Sequence, residues 1–211
     1  MTANWPLVLA SASPARLSTL RAVGLRPQVQ VSAVDEAALL VSTGISDPAE
    51  VSLLLAKAKA EDVAAGIDTD AIVLGCDSVL DLDGVALGRP ADAADAVRYW
   101  QQMRGRSGVL RTGHWLIDLR SAEVGGSLGS VGAGSATTVH FADLSDEEIK
   151  AYVATGEPVQ MAGAFTVDGL GGAFVTGIEG DYHGVVGVSL PLLRDLLGSL
   201  GVTWTDLWAS A

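Results

Sequence analysis

The stretch "LVLASASPARLSTLRAVGL", Leu7 to Leu25, decides how the fold is read. Its apolar start, from roughly Leu7 to Ala10, reads as a buried strand. Ser13 then stands where a helix N-cap belongs, and Pro14 takes the first helical position, where its missing N–H costs nothing. Leu17, Leu20 and Val23 recur at helical spacing, and Gly24 stops the helix. A strand that enters a helix through a short serine-rich turn is the opening of an α/β unit.

Arg16 is the anomaly in this stretch. It is the third helical residue after Ser13, where a capping box carries Glu or Gln. A cation there opposes the helix dipole, by about 0.3–1 kcal/mol at an exposed site. Two readings follow. One is an ordinary strand–turn–helix with a solvated arginine. The other is an anion bound at the helix start, met by free backbone N–H groups, the guanidinium and the hydroxyls of Ser11 and Ser13.

Working outward, "RPQVQVSAV" reads as a strand that ends in Asp35 and Glu36, and a loop follows. Asp47, Pro48 and Glu50 form a capping box for a helix that carries Val51, Leu54, Leu55 and Ala58 on one face and ends near Gly66. "AIVLGC" is a short apolar run closed by Asp77, hence a central strand. "SVLDLDGVAL" reads as a hairpin turning at Asp83–Gly84. Asp92 caps a helix with Ala96, Trp100 and Met103 inward. "VLRTGHWLIDL" and "ATTVHFADL" read as strands on either side of a glycine-rich hairpin loop, Gly125 to Gly134. Ser145 to Glu148 is a second capping box. "GAFVTGI" and "GVVGVSL" read as late strands, Pro191 to Leu197 as a helix, and "TWTDLW" as a short terminal one. The whole is α/β, a mixed sheet with flanking helices, in a single domain over residues 1–211.

Composition narrows the function. The 211 residues carry a formal net charge of −12 and are 49% hydrophobic, enough for a substantial core. A field of that sign argues against nucleic acid or an anionic membrane as partner. A phosphorylated small molecule stays open if local cations, with a metal ion, offset the field. Cys76 is the only cysteine, so no disulfide closes within the chain and a reducing cytoplasm is favoured. "LVLASASPA" is not read as a signal peptide, because no Lys or Arg precedes it. No apolar run reaches membrane-spanning length.

Several chemistries drop out: there is no G-x-x-x-x-G-K-[ST], no H-E-x-x-H, no cysteine pair for zinc and no complete nucleophile elbow around Ser189. Asp77, at the end of a buried strand, lies where α/β folds place their sites. It reads either as a metal- or water-holding carboxylate or as a turn residue. Asp35 and Glu36 either join it around a metal or form a solvated turn. Among the cations, Lys59 flanks the apolar helix face and can reach over the sheet, Lys57 points away, and Arg89 follows the hairpin in "LGRP". Arg104 and Arg106 read as solvated loop. Cys76 reads as core and His140 as structural.

The ordered motifs resemble one family. "LASASPARLSTLRAVG" is similar to its S-x-S-P-R-R-x-x-L-L opening, "LAKAKA" to its L-A-x-x-K-A helix, "GCDSVL" to its A-D-T-hydrophobic signature, and "LGRP" to its G/E-K-P. "RTGH" resembles its T-G strand, and "LSDEEIKAYVATGEP" with "AGAFTVDGLGGAFVTGIEGDYHGVVGVSLPLL" its C-terminal half. The family is the Maf-like nucleoside triphosphate pyrophosphatases, and the resemblance spans roughly Leu7 to Leu197.

The resemblance implies a Maf-type fold, distantly similar to that of inosine triphosphatase, with two lobes around a central cleft. It implies magnesium- or manganese-assisted hydrolysis of the α–β linkage of a canonical or modified nucleotide, giving a monophosphate and pyrophosphate. That is a house-cleaning role, with a homodimer as a family-level expectation. The catalytic aspartate, a proton acceptor or metal-site carboxylate, falls on Asp77; from the reading of the residues, Glu36 is expected to share a metal site with it. Substrate-binding positions fall on Ser11, Arg16, Lys59 and Arg89, the last an arginine for a lysine. Specificity positions depart from the family. Ala15 replaces its first arginine and Ser78 its threonine. Met161 replaces the lysine of its K-A-G-A-Y, Phe165 the tyrosine, and Asp168 the glutamine of its G-I-Q-G. Asp168 either faces the base, moving preference away from uridine and thymidine triphosphates, or is held by the turn in "VDGLGG". The competing reading is a nucleotide-binding regulator of division or growth with weak or no turnover.

Overall fold

The computed structural model describes residues 5–208. One seven-stranded mixed sheet organises them, in the order β2–β1–β3–β5–β6–β7, with β4 paired to β3. The strands are β1 (Leu7–Leu9), β2 (Gln28–Val29), β3 (Ile72–Leu82), β4 (Val85–Leu87), β5 (Ser107–Asp118), β6 (Ser130–Phe141) and β7 (Val175–Glu179). β1 runs parallel to β2 and β3, and every other pair is antiparallel. The helices are α1 (Pro14–Ala22), α2 (Glu36–Thr43), α3 (Pro48–Ala64), α4 (Ala93–Met103), α5 (Asp146–Ala154), α6 (Tyr182–Val186) and α7 (Leu190–Ser199). Among the described residues no helix is long and apolar enough to cross a membrane.

Two cores sit at opposite ends of the long central strands. One gathers Leu9, Leu20, Leu74, Cys76, Leu193 and Leu197 between the sheet and helices α1 and α7. The other surrounds Trp100, whose ring meets those of Phe141, Tyr152 and Phe174 edge-on, and takes in α4, α5 and Leu80. The cleft lies between them, and the register of β3 explains why. β1 pairs with β3 as far as Leu74, and β4 begins to pair with the same edge only at Leu80. Between those points the edge of β3 has no strand neighbour, and backbone groups there must find other partners.

The elements that frame this gap follow from local sequence. Ser13 Oγ accepts from the backbone N of Arg16, and Pro14 opens α1. Asp47 Oδ1 accepts from the N–H groups of Ala49 and Glu50 to start α3. The Ser145–Glu148 box is reciprocal. α3 then lies directly on the sheet, because β3 and β5 present glycines to it. A Cβ at Gly75 would stand 2.1 Å from the Ala56 carbonyl oxygen, and one at Gly113 2.3 Å from that of Ser52. This close approach brings α3 within side-chain reach of Asp77, two residues beyond Gly75 on the same face of the strand.

The structure corrects five expectations. β2 is only two residues long, since β1 offers it only Val8 and Leu9 as partners. The loop expected after Asp35 is helix α2, capped by Asp35 Oδ1 accepting from Ala38 N. α2 has no fully buried residue; Leu39 and Leu40 are half-buried against Val51, Leu55 and Val79, too few and too close in sequence to show a helical period. Asp77 does not end a strand but lies inside one, opposite Gly113 of β5. The glycine-rich stretch is only partly loop: Gly132 and Gly134 belong to β6, paired with Trp115 and Gly113. Finally, "GVVGVSL" is not a strand. Asp181 accepts from His183 N to cap α6, and Gly187 (φ 123°) ends it with a backbone that side-chain-bearing residues rarely adopt.

Candidate active site

A cleft of about 810 Å³ opens at the unpaired edge of β3. Its polar side is built from Arg16, Glu36, Asp77, Ser78 and Arg89. Leu40, Ile45, Val51, Leu55 and Val79 line an apolar side. Gln160, Met161, Ala162, Phe165 and Thr166, from the second lobe, form a third wall.

Asp77 is 8% exposed and Lys59 also 8%, so both are drawn out of water. Lys59 Nζ lies 2.5 Å from Asp77 Oδ1 and 2.7 Å from Glu36 Oε1, a cation shared by two carboxylates. Burial pushes the Asp77 carboxyl above its ordinary value, while the charges of Lys59 and Arg16 pull against that rise. A carboxylate with a raised pKa is a better proton acceptor. Its Oδ2 takes no hydrogen bond among the described residues, which leaves one oxygen free.

Arg16 does not project into solvent. Its Nε donates to Gly187 O at 2.8 Å, and Nη1 donates to Cys76 O at 2.8 Å and to Ser11 Oγ at 3.0 Å. Nη2 donates to Ser78 Oγ at 3.0 Å. These bonds satisfy the carbonyl of Cys76 at the open β3 edge and leave one N–H of Nη2 uncommitted. A chain of hydroxyls continues from it. Ser78 Oγ lies 2.9 Å from Thr112 Oγ1, which donates to Gly184 O at 2.9 Å. Thr112 therefore links β5 to α6 behind the cleft, a role that "RTGH" carries without any spacing signal.

The remaining sequence-stretch assignments divide. Ala15 and Arg89 line the cleft, and Arg89 is exposed and makes no ion pair among the described residues. Ser11 is buried beneath the lining, its Oγ taken by Arg16 and by Ser13 N. Asp168 is not brought to the cleft. It is exposed and accepts from the Thr166 hydroxyl, so the turn holds it. Cys76 is fully buried, and burial pushes its thiol up to about 11, which leaves it inert. Arg104 and Arg106, in the turn after α4, make surface ion pairs with Asp146 and Asp83.

Among the described residues no group of three or more His, Cys, Asp or Glu side chains converges. Two carboxylates, Asp77 and Glu36, face the cleft that Arg89 also lines. That donor set fits Mg²⁺ or Mn²⁺, which bind through one or two carboxylates and complete their shells with substrate phosphate oxygens and water.

Known proteins align with this chain along nearly its whole length. The family model for Maf-like protein matches residues 6–200. A "Nucleoside triphosphate pyrophosphatase" of Streptomyces coelicolor is 54% identical over 206 residues, covering 97% of this chain and 95% of its own. Proteins of the same name are 53% identical in Salinispora tropica, covering 96% and 87%, and 47% identical in Mycobacterium marinum, covering 97% and 97%. A crystal structure of a nucleoside-triphosphatase / dITP/XTP pyrophosphatase from Mycobacterium abscessus aligns over 66% of this chain and 75% of its own. Its TM-score is 0.37 and its identity 13%, too loose a likeness to carry any argument.

Proposed function

The chain belongs to the Maf-like protein family, and we propose that it is a nucleoside triphosphate pyrophosphatase whose chemistry runs at Asp77. The observation that carries this reading is a buried carboxylate with a raised pKa, facing a cleft that Arg89 also lines; among the described residues neither its Oδ2 nor Arg89 has a side-chain partner. The relatives that carry the activity in their names span the same length of chain.

In this reading the phosphate chain lies along Arg89, the last N–H of Arg16 and the N-terminus of α1. Water attacks the α-phosphorus, its proton passes to Asp77 Oδ2, and the bond to the α–β bridging oxygen breaks, so pyrophosphate leaves. Lys59 keeps Asp77 oriented through Oδ1 and balances the paired carboxylates. Asp77 and Glu36 would hold a divalent cation, which supplies charge neutralisation for the phosphates when bound.

The test is pyrophosphate release from a panel of canonical and modified nucleoside triphosphates, with and without Mg²⁺ or Mn²⁺. A monophosphate and pyrophosphate are the expected products. Diphosphate with orthophosphate would move the cleaved bond, and binding without turnover would make the protein a regulator instead.

A further inference from the structure

Most polar side chains that line the cleft are already committed. Arg16 and Ser78 bond one another, Glu36 and Asp77 hold Lys59, and Ser13 Oγ caps α1. The Thr166 hydroxyl goes to Asp168. Ser46, Arg89 and Gln160 remain without a side-chain partner among the described residues. Arg89 is a cation suited to phosphate, and Ser46 offers a single hydroxyl. Gln160 carries a carbonyl acceptor and an NH₂ donor in one plane, the arrangement that matches the edge of a nucleobase.

The segment bearing Gln160 is held at both ends. The Glu157 carboxylate accepts from Tyr152 Oη at 2.6 Å, from Leu170 N at 3.0 Å and from Gly171 N at 2.9 Å, which closes the chain between 157 and 171 into a loop. Gln160 N donates to Glu157 O at 3.1 Å, and Gly163 N donates to Gly88 O at 2.9 Å, next to Arg89. Met161, the next residue, is half-buried and adds apolar surface to the cleft wall.

We propose that Gln160 is the specificity-determining residue that reads the hydrogen-bonding edge of the substrate base, from a loop closed by Glu157. The proposal rests on the pyrophosphatase reading for its substrate class. Asp168, tied to Thr166 outside the cleft, does not take this part.

The experiment compares binding of adenosine, guanosine, uridine and cytidine monophosphates with that of ribose 5-phosphate, by titration calorimetry, for the unaltered protein, Gln160→Leu and Gln160→Glu. Gln160→Leu should weaken the preferred monophosphate about 3- to 10-fold, the worth of one neutral hydrogen bond, and leave ribose 5-phosphate unchanged. Gln160→Glu, which only accepts, should move the ranking toward guanosine, whose N1–H and amino group are adjacent donors. The same ranking in all three proteins, or an equal loss for ribose 5-phosphate, overturns the proposal. Pyrophosphate release is followed in parallel. A Gln160-dependent ranking in a protein that releases none upholds base reading and removes the pyrophosphatase reading.

Discussion

Arg16 Nε donates to the carbonyl of Gly187 at 2.8 Å, joining residues 171 positions apart. The same guanidinium reaches Cys76 O on β3, so one side chain ties α1, the central strand and the end of α6 together. Gly187 is fitted to this contact, since a Cβ there would stand 3.0 Å from Arg16 Nε. The cation that conflicts with the helix dipole in the sequence is thus part of the cleft floor, and the carbonyls it satisfies outweigh that conflict.

Arg16→Ala should therefore destabilise the free protein. Removal strips the buried carbonyls of Cys76 and Gly187 of a charged donor, and each such bond is worth about 1.5–3 kcal/mol. A loss of about 3 kcal/mol in denaturant unfolding is expected, with weakened nucleotide binding alongside. Unchanged stability would mean that water replaces the guanidinium without cost.

Asp77→Asn should cut turnover by about 10²–10⁴-fold, because the amide cannot accept the proton from the attacking water. The rate for the unaltered protein should fall on the acid side as Asp77 protonates, and its raised pKa moves that limb above the ordinary aspartate range. Asn can still accept from Lys59 through its carbonyl, so circular dichroism should show an unaltered fold. Full pyrophosphate release from the variant would remove Asp77 from the chemistry.

The parts of this molecule that were legible in its sequence are those with a local signature. Ser13–Pro14, Asp47–Pro48, Asp92 and Ser145–Glu148 each mark a helix start by cap chemistry, and the structure has a helix at each. α2 is illegible because its half-buried side chains, Leu39 and Leu40, are adjacent and give no helical period. α6 reads as strand because Val186, Val188 and Leu190 in "GVVGVSL" alternate with Gly187 and Ser189, while the Asp181 cap sets a helix. At the site, the helix wheel lets Lys59 reach over the sheet, but its pairing with Asp77 is a contact between α3 and β3 that no spacing encodes. The link to Glu36 depends on α2. The bonds of Arg16 to Cys76 and Gly187 are contacts across the fold, and no spacing in the sequence encodes them.

Chelation should abolish activity, and added Mn²⁺ or Mg²⁺ should restore it, if Asp77 and Glu36 hold the cation between them. Glu36→Gln removes one of the two carboxylates and leaves Lys59 paired with Asp77 alone. The metal concentration for half-maximal rate should rise by about 10-fold or more, on the scale of lost supporting ligands, with the maximal rate approached at high metal. An unchanged metal requirement would leave Glu36 only its ion pair with Lys59.

His114 contributes to the pH dependence of stability. It is fully buried on β5, its Nδ1 donates to Thr112 O at 3.1 Å, and its Nε2 accepts from Ser189 N at 2.8 Å, the N-cap of α7. That pair of bonds requires the neutral ring, because a protonated Nε2 would meet an N–H donor. Burial, helped by the charge of Arg16, lowers its pKa from 6.5 to about 4. A folded-state pKa below the unfolded one contributes stability that is present above the unfolded value and lost as pH falls through the folded one. The stabilisation should therefore be intact at pH 7 and lost between about pH 6.5 and about pH 4, with a magnitude of about 3 kcal/mol. Unfolding free energies across that range, compared between the unaltered protein and His114→Gln, should show a steeper loss of stability toward acid pH in the former. If His114 instead titrates near 6.5 by NMR in the folded protein, the neutral anchor for Ser189 is wrong.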